Sequence, residues 1–143
     1  MQSTLSARLV IPALLVLLVG MASCASSRPQ SVIALPNGYY VQPTKSGQLS
    51  VVKRSGGTVV PGPIAAYSVF RKYVVGALGA APPLQRTYTN DLPFQGTADT
   101  RYFVLDTKAG KLDSGLDEAA WKKELAALAI PASTEIYSPI LPD

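Results

Sequence analysis

Three kinds of apolar patterning succeed one another along the chain. Residues 9–24, LVIPALLVLLVGMASC, follow a single basic residue, Arg8, and close on small residues and the one cysteine, Cys24. The apolar part is shorter than the roughly 20 residues of a membrane span and is interrupted by Pro12. Charge, apolar run and small-residue exit in that order are the arrangement of a secretory signal segment. A different pattern fills residues 37–78, where short strand-favouring stretches alternate with turn residues. Asn37-Gly38 precedes Tyr39, Tyr40 and Val41, and Ser46-Gly47 precedes an imperfect alternation over 48–53. Ser55-Gly56-Gly57 is a hairpin signal before Thr58, Val59 and Val60, and Pro61-Gly62-Pro63 breaks the series. Two further strands follow over 64–69 and 73–78, with Phe70, Arg71 and Lys72 at their turn.

The third pattern lies at residues 101–130. Tyr102, Phe103, Val104 and Leu105 form a buried-type strand, residues 106–110 (DTKAG) a tight turn, and Lys111, Leu112 and Asp113 a short return strand. Asp117 is a good N-cap for a helix over 117–130, Glu118 adds negative charge to its first turn, and Leu116 and Trp121 hold the places of a hydrophobic staple. Trp121, Leu125 and Leu128 then share one helical face, Glu118 and Lys122 can pair on the other, and Pro131 ends the helix. Between the strand sets, residues 79–100 hold three prolines and two glycines with no sustained period. Such a long loop is commonly functional or disordered, while Tyr88, Leu92 and Phe94 are apolar enough to fold it back over a core. Residues 134–137 can add an edge strand. The expected fold is α+β, an antiparallel β-meander of about five to seven short strands with one C-terminal helix packed on it. It forms a single domain over 37–143.

Met21, Ala22, Ser23 and Cys24 resemble the lipobox of a bacterial lipoprotein precursor, with Met21 where that family usually has Leu. Met is apolar, flexible and close to Leu in volume. The resemblance implies a signal peptide over 1–23, cleavage before Cys24, a diacylglycerol thioether on Cys24, and an acyl chain such as palmitate on the new amino terminus. Residues 24–36 would then be the acylated cysteine and a flexible tether. It also implies an anchor in the cell membrane or outer membrane, with the domain facing the periplasm or exterior; Ala25, not Asp, follows the cysteine, similar to the pattern sent to the outer membrane. The residues leave other outcomes open: cleavage after Ala25 by an ordinary signal peptidase, an uncleaved anchor, or a core helix. Residues 101–130 also look like a recurrent unit of small uncharacterised envelope lipoproteins, which implies no activity.

Composition narrows the chemistry. The 143-residue chain has no His and one Cys, so an internal disulfide and a Cys/His zinc site are both out of reach. No cofactor or metal is expected. Formal charge is only +4, far from a nucleic-acid footprint. Residues 104–107 (VLDT) are similar to the strand and Asp-Thr start of an aspartic protease, but Lys108 stands where that family has Gly, and a cation there opposes a shared-proton dyad. The competing role for Asp106 is to cap its own turn. Ser46 beside Lys45 on a turn is poorly placed for Ser-Lys catalysis. Lys53-Arg54 and Arg71-Lys72 flank turns and are either solvated charges or a small basic patch for anionic head groups or cell-wall carboxylates. Tyr39, Tyr40, Tyr67, Tyr73 and Tyr102 are core residues or the wall of a carbohydrate or peptide groove. The resulting expectation is a lipid-anchored cell-envelope protein with a binding or accessory role and no catalysis. Its partner is an envelope protein or glycan touched through Tyr88, Leu92, Phe94, Arg71 and Lys72. The alternatives are a weak aspartic-protease-like dimer on Asp106, or glycan or small-ligand binding on a tyrosine-rich sheet face.

Overall fold

The computed structural model describes residues 32–79 and 92–139. Seven strands, one 3-10 turn and one helix follow one another: β1 (Ile33–Leu35), the turn Pro36–Gly38, β2 (Tyr39–Pro43), β3 (Leu49–Lys53), β4 (Ile64–Phe70), β5 (Tyr73–Leu78), β6 (Arg101–Asp106), β7 (Lys111–Leu116) and α1 (Glu118–Ala127). All pairings are antiparallel. The α+β class, the antiparallel meander and the C-terminal helix are therefore as expected.

The single sheet is not. The strands divide into a three-stranded sheet, β1-β2-β3, and a four-stranded sheet, β4-β5-β6-β7. The division falls at residues 54–63, where three glycines and two prolines carry the chain out of one ladder and into another. Thr58 makes only an isolated bridge to Val52, and Val60 is fully buried between the sheets instead of lengthening a third strand. Folding also starts earlier than Asn37, because Ile33–Leu35, inside the stretch assigned to a tether, pairs with Val41, Tyr40 and Tyr39. The tail makes a bridge, Tyr67 to Tyr137, in place of a full edge strand.

The two sheets and the helix stack as three layers, and the side-chain alternation of β5 and β6 shows why. Val74, Phe103 and Leu105 point into a core shared with Leu35, Tyr39, Val41, Leu49 and Val51 of the smaller sheet. Their neighbours Val75, Ala77, Tyr102 and Val104 point the other way, onto Trp121, Leu125 and Ile130 of the helical layer. A strand covered on both faces needs apolar residues at every position, so these two strands read as continuous apolar runs. Gly76 is the exception within β5: a Cβ there would lie 2.4 Å from the Ala66 carbonyl oxygen and 2.7 Å from the Phe103 ring. Its lack of a side chain lets that ring lie across the strand.

The helix starts as its sequence requires, with the Asp117 carboxylate accepting from the Ala120 N–H at 2.8 Å. It ends three residues earlier than the proline alone would dictate. Ala129 adopts a left-handed conformation (φ 55°), and Ile130 N–H donates to the Leu125 carbonyl at 2.9 Å. That is a Schellman ending, with buried Ile130 as its hydrophobic contact.

Candidate functional site

The long-range side-chain hydrogen bonds of the described residues gather at the hairpin turns at one end of the molecule. Register places them together: Phe70 pairs with Tyr73, Tyr73 with Asp106, and Asp106 with Lys111, so the β4–β5 and β6–β7 turns are neighbours. The smaller sheet joins them through its own turn residues. Asn37, held at φ 57°, donates from Nδ2 to Thr107 Oγ1 at 2.8 Å, and Thr107 in turn donates from Oγ1 (2.6 Å) and from its backbone N–H (2.9 Å) to the Lys72 carbonyl. Thr107 is buried, so this relay is an internal tie between sheets. On the same turn of the smaller sheet, Arg54 N–H donates to the Gly38 carbonyl at 2.8 Å. The pairs Lys53-Arg54 and Arg71-Lys72 therefore converge at one end, through a connection that neither pair makes by itself.

Asp106 sits inside this arrangement as a turn-former. Its Oδ1 accepts from the Lys108 and Ala109 backbone N–H groups, both at 2.9 Å, and its Oδ2 meets Lys72 Nζ at 2.7 Å. The Lys72 hydrogen bond, followed by that from Ala109, holds the carboxyl below the ordinary carboxylate range. The same bond holds the Lys72 ammonium above the usual lysine value. A shared-proton dyad needs one carboxyl pushed the other way. The environment of Asp106 thus stabilises its charged form, as a cap and ion-pair partner does.

The cations at this end lie over aromatic rings: Lys53 over Tyr39 at 5.6 Å, Arg54 over Tyr40 at 5.7 Å, Arg71 over Phe70 at 5.4 Å and Lys72 over Tyr73 at 4.9 Å. Lys72 is taken up by Asp106 and Lys111 by Asp113, at 3.0 Å. Among the described residues no carboxylate reaches ion-pairing distance of Lys53, Arg54, Arg71 or Lys108, all of which are exposed.

The other candidate residues are dispersed. Cys24 and Tyr88 lie outside the described residues. Leu92 is 83% exposed, whereas Phe94 is half-buried against the helical core, with its N–H bonded to the Ile136 carbonyl at 2.8 Å. The described part of the long loop therefore covers the core near Tyr102, whose hydroxyl would be 2.2 Å from a Cβ on Gly96. Tyrosines do not form one wall. Tyr39 and Tyr67 pack on the core between the sheets; Tyr73 and Tyr102 pack on the helical side, Tyr102 stacked on Trp121 with centroids 4.6 Å apart. Burial raises the phenol pKa of both Tyr67 and Tyr102. Sequence reasoning singled out the two basic pairs but missed the Asn37–Thr107 tie; the left-handed tendency of Asn before Gly was its one available signal. No protein-family model matches this chain, and comparison with curated proteins and with solved structures returns no match.

Proposed function

We propose that this is an exported protein held at a bilayer by lipid on Cys24, and that its folded part binds another envelope component, protein or glycan, without performing catalysis. The observation that carries the proposal is the succession of Arg8, an apolar run and Met21-Ala22-Ser23-Cys24. Two or three acyl chains, at about 0.8 kcal/mol per buried methylene, make release from the bilayer negligible. Nine residue steps separate Cys24 from Ile33, the first residue of β1, which is a short leash for a domain working at a membrane surface. Contact with a protein partner is supported by exposed Leu92 and by β1, whose outer edge pairs with no strand among the described residues.

Mass spectrometry of the amino-terminal peptide of membrane-extracted protein tests the anchor. A peptide beginning at Cys24 and carrying diacylglycerol is expected. Residues 1–23 still attached with a free thiol on Cys24, or a peptide beginning at Ser26, would refute the lipid anchor. Crosslinking in intact membranes addresses the binding role: one partner band that Leu92→Asp weakens is expected, and no partner in either protein rejects that role.

A further inference from the structure

We infer that the turn end of the three-layer fold is a docking surface for an anionic lipid bilayer, with Lys53, Arg54, Arg71 and Lys108 engaging phosphate-bearing head groups. Three independent features meet there. The first is charge without compensation. These four exposed cations have no carboxylate partner among the described residues, while the acidic groups nearby are already committed, Asp106 to Lys72 and Asp113 to Lys111. The second is rigidity. The cations stand on turns of both sheets, and those turns are tied by the Asn37–Thr107–Lys72 relay and the Arg54–Gly38 bond. A fixed array of charges loses little conformational freedom when it meets a charged plane.

The third feature is apolar. Arg54 lies over half-buried Tyr40 and Arg71 over half-buried Phe70. Aromatic bodies beneath long cationic side chains suit the boundary between head groups and acyl chains, where the chain stem rests on apolar matter and the charge stays at the phosphate level. A formal charge of only +4 is far from a nucleic-acid footprint, so the pairing of cations with aromatic rings favours the bilayer. The inference does not require the lipid on Cys24. Where Cys24 is acylated, the nine residue steps to Ile33 reach at most about 30 Å, enough for the turn end to face the surface that holds the anchor.

All strands, the helix and both cores of the described structure lie between residues 32 and 139, so residues 25–143 contain the entire described fold. Unacylated residues 25–143 are tested by cosedimentation with vesicles of phosphatidylcholine alone and of phosphatidylcholine mixed with phosphatidylglycerol. Binding is expected only to the mixed vesicles, and raising the salt should weaken it. Each cation near such a surface contributes about fivefold to affinity, so Arg54→Gln with Arg71→Gln should weaken binding about 25-fold. The control pair Lys45→Gln with Lys123→Gln removes the same formal charge from the opposite turn and from the helix, and should leave most of the affinity. Circular dichroism verifies that both pairs remain folded. Equal losses from the two pairs, no preference for anionic vesicles, or a response to inorganic phosphate or to duplex DNA with none to vesicles would each overturn the inference. Failure here leaves the Cys24 peptide mass untouched, and an unmodified Cys24 leaves vesicle binding untouched.

Discussion

Replacing Gly76 by alanine places a methyl group where the strand has no room for one. Its Cβ would stand 2.4 Å from the Ala66 carbonyl oxygen, and 2.7 and 2.9 Å from two atoms of the Phe103 ring, against 3.4 Å or more for ordinary contact. One obstacle is backbone of the adjacent strand, paired to β5 through Tyr67 and Gly76, so it cannot swing aside as a flexible side chain would. Overpacking of this kind costs about 1–3 kcal/mol, and a backbone obstacle puts the cost at the upper end. The lower chain entropy of unfolded alanine returns about 0.4–1 kcal/mol. A net loss of about 2–2.5 kcal/mol is therefore expected, which for a domain of this size lowers Tm by roughly 10–15 °C. Urea unfolding followed by tryptophan fluorescence reads it as a lower midpoint with unchanged slope. In a Phe103→Leu background the ring clash disappears while the Ala66 clash stays, so the cost of Gly76→Ala should shrink by about 1 kcal/mol. A midpoint for Gly76→Ala indistinguishable from the parent, or a cost unaffected by Phe103→Leu, would refute the close-approach account.

Thr107→Val keeps the shape of a buried side chain but cuts the relay between sheets, leaving Asn37 Nδ2 without its acceptor. A loss of about 1–2 kcal/mol is expected, with faster amide exchange at Arg54 than in the parent; unchanged exchange there would show that the sheets are not tied through Thr107. The Asp106 carboxyl has its pKa lowered by Lys72, so its contribution to stability is present above the unfolded carboxylate value of about 3.9 and is lost as pH falls through the folded value. Asp106→Asn should therefore flatten the acid limb of the stability profile below about pH 4, and an acid limb identical to the parent's counts against it. Ala129 holds a left-handed conformation that costs an L-residue about 1–2 kcal/mol, so Ala129→Gly should stabilise the protein by up to about 1 kcal/mol in urea unfolding. A destabilised variant would contradict the Schellman geometry.

Local chemistry made the helix and the inner strands legible. Asp117, Glu118, Trp121 and Leu125 carry cap, dipole and stripe within nine positions, and the structure uses each of them so. The unbroken apolar runs at 73–78 and 102–105 announced buried strands, since no polar residue fits a strand covered on both faces. What one dimension concealed was partnership. Residues 55–57 look like a hairpin turn and 61–63 like a break in the series, and nothing in either says that β3 and β4 will lie in different sheets. Three-residue β1 is too short for its alternation to stand out from a tether. The basic pairs were visible at once, but their meeting depends on a hydrogen bond between residues 70 positions apart. Tyr39 and Tyr40 are adjacent and point to opposite faces, so a count of tyrosines carried no information about a common wall.

Because β1, among the described residues, pairs with β2 alone and by three residue pairs, it is the shortest ladder of the fold and the seam at which tension along the preceding chain would enter. A tug from that direction would break the pairs of Ile33 and Ala34 before it reached Leu35, whose buried side chain shares a core with Phe103. The two outer pairs can open and close again, whereas opening past Leu35 would bring water to the core between the sheets.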